Sequence, residues 1–445
     1  MTSPLLNGYA IIGMARSGIA AAKMLQRLGY PVFISDIRQA EDIPEAAQIK
    51  ESFKCEFGGH TKAILEYKTV VVSPGVPINI PILLQARQAG VRLISEIELG
   101  YQFKHPKTKI IAVTGSNGKS TTVSLIHYIL TLAGIKSVLA GNIGTAFTAA
   151  DISSPDIEVF VLELSSFQLE LLRTFRADAA AILNITPDHL SRYDSFRDYA
   201  QAKMNIFRNQ TPDDLAVINA DDGAIARLKP KTTSLCFSSY RKTDARVDGN
   251  ILRVCENSFD IQNIKLKGSH NLDNIMASLL LLRNWKIPYP VIKEALETFT
   301  TLPHRLEPVG ECCGISFIND SKATNTGSVC SALHSFHTPV RIILGGSDKG
   351  EDFRILSKSL FKHAAKGYLI GETTEKMREQ LSRSIPLTAY KSLEEATQTA
   401  FKDAAPREII LLSPACASFD MFRNFEDRGN QFKAIVKKIC SGESQ

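Results

Sequence analysis

A chain of 445 residues exceeds what one hydrophobic core supports, since domains cluster near roughly 100–200 residues, so three domains are expected. With 44% hydrophobic and 22% charged residues, no run of about 18 uncharged apolar residues and no basic-then-apolar leader, disorder, a membrane span and export are all unexpected. The eight cysteines show no CxxC, so neither a disulfide framework nor a zinc site is suggested and a reducing cytoplasm fits, and the formal charge of +6 is spread out. That charge fits a solvated surface or attraction of anionic substrates such as nucleotides, and by itself gives no reason to expect nucleic acid.

In chain order, short apolar runs that read as buried strands alternate with helical patterns, the signature of parallel α/β architecture. Residues 9–12 read as a strand, 17–28 as a helix ending at Gly29, and 32–35 as the next strand; 69–72 and 91–94 supply two more. The polar, proline-containing FKHPKT near residue 103 reads as a linker, giving a first domain 1–100. Strands at 109–113, 158–162, 179–183 and 215–218 and an apolar helix 272–282 make a second domain, 101–302. After FTTLPHRLEP the pattern restarts with strands at 315–318, 341–344, 368–370 and 409–412, a third domain 303–445.

The segment IIAVTGSNGKSTT joins a buried strand, a glycine turn and a Lys-Ser-Thr helix start. Gly115 and Gly118 let the backbone, with Asn117 between them, approach phosphate oxygens, and the helix N-terminus favours anions. Lys119 neutralises outer phosphates, while Ser120 or Thr121 can hold Mg²⁺. The spacing departs from GxxxxGK[ST], because Gly115 precedes Gly118 by three positions rather than five. The strand 158–162 delivers Glu163 at its carboxyl end, where it serves either as a metal carboxylate or as a cap on the next helix. His189, in NITPDHLSRY, is either a structural histidine or a ligand at a strand end. Near the N-terminus Gly13, Gly18 and Asp36 approximate a dinucleotide fingerprint, but the spacing is wrong for GxGxxG and NAD is not expected.

The motifs TGSNGKST, GNIG, ELSSFQLE, NITPDHLSRY, GSHNLDN, LPHRLE, FINDSKATN and LSPACASFD occur in this order over nearly the whole chain. Together they resemble the Mur ligase family, and NDSKATN with SPACAS and NFEDRGN resembles its D-glutamate-adding branch. The resemblance implies a Rossmann-like first domain, a central P-loop mononucleotide-binding domain with a mostly parallel sheet, and a Rossmann-like third domain. It implies an ADP-forming ligase that adds D-glutamate to UDP-N-acetylmuramoyl-L-alanine through an acyl phosphate, in cytoplasmic peptidoglycan precursor synthesis. The expected cofactors are ATP and two Mg²⁺ ions, with a CO₂-derived carbamate on Lys203. A monomer without nucleic acid or membrane partners is expected.

By the same resemblance Lys119 binds the terminal phosphates, Ser120 and Thr121 assist the metal, and Glu163 and His189 bind Mg²⁺. Asn142 in GNIG contacts nucleotide or substrate near the reaction centre. Lys203, a solvated helix lysine on its sequence alone, takes the carbamate position. Asn271, His304, Arg305 and Asp320 grip the base and ribose of ATP, and Arg305 with Lys322 completes a charge clamp when the third domain closes. The loop from Gly13 to Gly18 receives the UDP pyrophosphate with Ser17, and Asp36, Arg38 and Ser73 serve the nucleotide sugar. Ile37 stands where such proteins often carry Thr, which removes one polar uracil contact. D-glutamate falls to Thr324, Lys349, Ser418 and Phe425, with Phe419 beside them; Lys349 is otherwise a turn lysine. Two other readings are a folylpolyglutamate-type ligase, which lacks a UDP-binding first domain, and a P-loop switch that spends the nucleotide on conformational change.

Overall fold

The computed structural model describes residues 6–43, 45–186, 192–300, 303–336, 338–348 and 350–441. The chain forms two compact units. The first runs to Ile185 and includes Ser195–Asn263 and Asp273–Leu296; the second holds Thr186, residues 192–194, Ile264–Leu272 and the described residues from Glu297 onward.

In the first unit, β1 (Leu6–Ile12), β2 (Val32–Ser35), β3 (Lys54–Glu56), β4 (Tyr67–Val72) and β5 (Arg92–Ser95) form a parallel sheet ordered β3-β2-β1-β4-β5. Its central strands are runs of Ile and Val because a parallel sheet covered on both faces buries both sets of side chains; Ile11, Ile12 and Val70 are almost fully enclosed. The strand order reverses at β1 and β4, so the loops that follow them open a crevice at their carboxyl ends. The helix Arg16–Arg27 buries its alanine-rich face, Ala20 to Ala22 with Met24 and Leu25. The helix Glu96–Phe103 passes through residue 100 and is capped by the Ser95 hydroxyl, which accepts from the Glu98 amide.

The second sheet of this unit contains β6 (Lys109–Thr114), β7 (Ser137–Gly141), β8 (Val159–Glu163), β9 (Ala179–Ile182), β10 (Leu215–Asn219), β11 (Thr233–Ser238), β12 (Ala245–Asp248), β13 (Ile251–Val254) and β14 (Asn257–Asp260). Its order is β14-β13-β12-β11-β10-β9-β6-β8-β7; β12 to β14 form an antiparallel meander and the remaining pairings are parallel. With β6 flanked by β8 and β9, the loops after these three strands meet at one end. The helix Lys119–Leu132 follows β6 directly and packs Val123, Leu125, Ile126, Ile129 and Leu130 inward.

The second unit is built on β15 (Glu307–Cys312), β16 (Ile315–Asn319), β17 (Val340–Gly345), β18 (Ala364–Ile370), β19 (Leu387–Ala389) and β20 (Ile409–Leu412), ordered β15-β16-β20-β17-β18-β19. Only the β15–β16 pairing is antiparallel. β20 sits between β16 and β17, so the loops after these three strands gather at one edge. Among the described residues no helix is long and apolar enough to cross a membrane.

Candidate functional site

The phosphate-loop sequence folds into a cradle because two of its residues must be glycine. Gly115 (φ +154) and Gly118 (φ +84) occupy backbone conformations that side chains resist, and a Cβ at Gly118 would stand 2.2 Å from the Asn274 Oδ1. Asn184, at the end of β9, holds the loop open from the side: its carbonyl accepts from the Ser116 amide at 2.9 Å and its Oδ1 from the Asn117 amide at 2.8 Å. The helix then starts at Lys119, whose ammonium folds back to donate to the carbonyls of Gly115 (2.8 Å) and Ser116 (2.9 Å). Ser120 and Thr121 are buried in the first turn. An oriented helix start with a lysine across it is suited to a chain of phosphates.

Glu163 is the last residue of β8, in register with Val113 of β6 and Gly141 of β7, and is 1% exposed. Asn142 anchors it twice: its amide N–H donates to the Glu163 carbonyl at 2.8 Å and its Nδ2 to Oε1 at 2.7 Å. Glu163 ends the strand next to β6, which leads into the helix carrying the Ser120 and Thr121 hydroxyls, and carboxylate and hydroxyl oxygens are donors of the kind Mg²⁺ takes. Among the described residues no group of three or more His, Cys, Asp and Glu side chains could hold a metal ion. Lys203 is 2% exposed and donates to the Gly115 carbonyl at 3.0 Å, with its ammonium 4.7 Å from the Tyr199 ring centre. Tyr199 in turn hydrogen-bonds Ser116 at 3.0 Å. His189 lies outside the described residues.

The crevice of the first sheet is a cavity of about 700 Å³, lined by Gly13, Ser17, Asp36, Arg38, Ser73 and Asn142 among others. Gly18 permits the tight turn, since a Cβ there would lie 1.9 Å from the Gly13 carbonyl, and the Ser73 hydroxyl donates to that same carbonyl at 2.9 Å. Burial pushes the Asp36 carboxyl up, but hydrogen bonds from Arg38 and the Met14 amide outweigh it and hold it below the usual carboxylate range. Arg38 grips both Asp36 oxygens, at 3.0 and 2.9 Å, so the pair presents one fixed polar wall. Ile37 between them is exposed.

In the second unit Arg305 is flanked by two strained residues, His304 (φ 64) and Leu306 (φ 41), a conformation uncommon outside glycine. Asp320, at the end of β16, accepts from the Ser413 hydroxyl at 2.7 Å and the Leu306 amide at 3.2 Å. Lys322 lies 5.0 Å from the Phe425 ring centre, Ser418 is buried and Phe419 is exposed. Thr324 follows in the same loop, its amide donating to the Lys322 carbonyl. Asn271 belongs to this unit as well, its Nδ2 donating to the Lys267 carbonyl at 2.7 Å. Lys349 lies outside the described residues. The arginine of NFEDRGN is not among the residues the motifs assign a role. Arg428 is fully buried and donates to the carbonyls of Ser321 (2.8 Å), Cys416 (3.1 Å) and Ala417 (3.2 Å), tying the loops after β16 and β20 together.

Burial raises the Asp320 carboxyl to about 7, against the opposing pull of the Ser413 hydroxyl and the Arg305 guanidinium. The folded value lies above the unfolded Asp value of about 4, so with rising pH the unfolded chain releases this proton first. The contribution of this group to stability is therefore full below about pH 4 and is lost as pH rises to about 7. Asp320→Asn is expected to flatten that part of the stability profile in urea denaturation across this range. Parallel profiles for the two proteins would contradict the assignment.

Three family models match the chain: "Mur ligase MurD-like, N-terminal domain" over residues 7–95, "Mur ligase middle domain" over 113–282 and "Mur ligase, glutamate ligase domain" over 304–416. A curated relative from Acidobacterium capsulatum, named UDP-N-acetylmuramoylalanine–D-glutamate ligase, is 41% identical, with 96% of this chain and 95% of the relative covered. A relative of the same name from a Geobacter species is 38% identical, with 98% of each covered. Among solved structures, UDP-N-acetylmuramate-alanine ligase MurC from Thermotoga maritima gives a TM-score of 0.62 at 18% identity, over 98% of this chain and 99% of that one. MurF ligase from Thermotoga maritima in complex with ADP gives 0.64 at 17% identity, over 92% and 96%. At such identities the two structures speak for the shared three-domain α/β fold alone.

Proposed function

The chain belongs to the Mur ligase family, and from that premise we propose that it adds D-glutamate to UDP-N-acetylmuramoyl-L-alanine at the expense of ATP, in peptidoglycan precursor synthesis. The observation that carries this reading is the full-length likeness to D-glutamate ligases, with the MurD-like model covering the first sheet. In the reaction the alanyl carboxylate attacks the terminal phosphorus of ATP, releasing ADP and leaving an acyl phosphate. The amine of D-glutamate then displaces phosphate to form the amide.

The geometry supports a division of labour in which the loop Gly115, Asn117, Gly118 and Lys119 binds the phosphates of ATP. Glu163, Ser120, Thr121 and His189 are the proposed Mg²⁺ side, with two ions. Bound Mg²⁺ would offset the charge of the phosphate oxygens. Lys203 carries a carbamate, and Asn142 works beside Glu163. Ser17, Asp36, Arg38 and Ser73 serve the nucleotide sugar; Asn271, His304, Arg305 and Asp320 serve ATP with Lys322; Thr324, Lys349, Ser418, Phe419 and Phe425 serve D-glutamate. Domain limits of 1–100, 101–302 and 303–445, a monomeric state and a cytoplasmic location complete the proposal.

The test is phosphate release with ATP, Mg²⁺ and UDP-N-acetylmuramoyl-L-alanine, comparing D-glutamate with L-glutamate, L-alanine and meso-diaminopimelate. Turnover with D-glutamate alone is expected; turnover with another amino acid, or without the UDP-sugar, overturns the reading. Lys349→Ala is expected to raise the D-glutamate KM by about tenfold or more while the ATP KM changes little, as the loss of a charge-assisted contact predicts. Equal effects on both constants would remove Lys349 from the amino-acid site.

A further inference from the structure

The turn after β1 places an arginine where the two sheets of the first unit meet. Arg16 begins the helix Arg16–Arg27, is exposed, and lines the same cavity as Ser17, Asp36 and Ser73. Its guanidinium reaches the turn that follows β7. Nη1 donates to the Gly144 carbonyl at 3.1 Å, and Nη2 donates to the carbonyls of Asn142 at 3.1 Å and Gly141 at 3.5 Å. The same turn fixes Glu163 through the amide and side chain of Asn142, at 2.8 and 2.7 Å. A second link lies just downstream, where buried Glu96 accepts from the amide and hydroxyl of Thr148, at 2.6 and 2.8 Å. Glu96 is near enough for the Arg16 charge to act on it.

A guanidinium has five N–H donors, and the three bonds to carbonyls leave two for a further acceptor. Those two belong to a side chain that faces the cavity, next to Ser17, where the proposed function puts a diphosphate. An arginine that only joined the sheets would need no exposure to that cavity. We propose that Arg16 is a positioning residue that couples the nucleotide-sugar pocket to the metal carboxylate: a diphosphate in the pocket fixes the guanidinium, which steadies the 141–144 turn and, through Asn142, holds Glu163 for the divalent cation. This inference rests on the ligase reading above. Coupling of this kind is reciprocal, so the cation must tighten the nucleotide sugar by the same factor.

The test uses the full chain with Mn²⁺ as probe and a non-hydrolysable ATP analogue. Mn²⁺ affinity is read by electron paramagnetic resonance with and without UDP-N-acetylmuramoyl-L-alanine, whose own affinity is measured by calorimetry. In the unaltered protein the UDP-sugar is expected to tighten Mn²⁺ about tenfold. In Arg16→Gln and in Arg16→Lys, which keeps the charge but loses the planar fork, that factor is expected to fall below about twofold. Two variants, each checked by circular dichroism, guard against a folding defect in one. The inference is overturned if the unaltered protein shows no coupling, or if the variants lose UDP-sugar affinity while the Mn²⁺ factor persists. D-glutamate-dependent phosphate release by the unaltered protein, measured alongside, tests the ligase reading separately: its absence removes that reading, whereas its presence with an unchanged Mn²⁺ factor removes only the role of Arg16.

Discussion

Lys119→Ala is expected to lower the rate of D-glutamate-dependent phosphate release by about 10³-fold or more, the scale on which pre-organised charge at a transferring group acts. Lys119 is the first residue of its helix, and its ammonium already spans the loop, donating to both the Gly115 and Ser116 carbonyls. Holding the cation in place before phosphate arrives means little reorganisation at the moment of transfer. Removing it leaves the glycine backbone and the helix start, which bind phosphate but cannot match the charge that builds on it. Because the side chain is part-buried rather than a core element, the variant should retain its fold, which thermal denaturation will check. A variant that turns over at the unaltered rate would defeat the phosphate-loop assignment.

Lys203→Ala is the second large effect, expected at about 10²–10³-fold in rate, with partial recovery on adding chloride or a short carboxylate such as formate. Lys203 and Lys119 both donate to the Gly115 carbonyl, at 3.0 and 2.8 Å. Their ammoniums therefore stand within about 6 Å of each other, close enough for like charges to repel appreciably at a site shielded from water. Carbamylation of Lys203 would reverse its sign, turning that repulsion into attraction and placing an anion where a divalent cation would otherwise be repelled. Burial of Tyr199 against the lysine limits solvent access to the group. ¹³C-bicarbonate should give a carbamate carbonyl signal in the unaltered protein and none in the variant. Full activity in Lys203→Ala, or no rescue together with no carbamate signal, would reject the role.

The loop proposed to bind phosphate was legible because its parts are contiguous. Strand, glycine turn, lysine and hydroxyls occupy one run of sequence, and local rules for glycine and for helix starts suffice to assemble them. Glu163 was legible for a related reason: it ends a fully apolar run, which can only be an interior strand, and such strands deliver their last residue to the ligand edge. The central strands of all three sheets, and β5 at an edge, were found the same way. Shorter or more polar strands such as β3, β7, β11 and β19 were not, nor were β12 to β15. β12 and β14 each bury a single residue, Ala245 and Phe259, among half-buried or exposed ones, and an antiparallel meander at the end of a sheet leaves no continuous apolar signal.

What the amino-acid sequence determined by itself was therefore the α/β class, the central strands of the three sheets, the glycine turn after β6 and the strand-end position of Glu163, all of which follow from hydrophobic periodicity and glycine placement within a few turns of chain. Only the tertiary structure decided which polar residues hold those parts in position. Asn184, Tyr199 and Arg16 reach the loops from 67, 83 and 126 residues away, Asn274 accepts from Thr122 of the following helix across 152, and Arg428 ties Ser321 across 107. Such contacts arise from how strands are ordered in a sheet, and a single polar side chain carries no periodic mark of the partner that folding will bring to it.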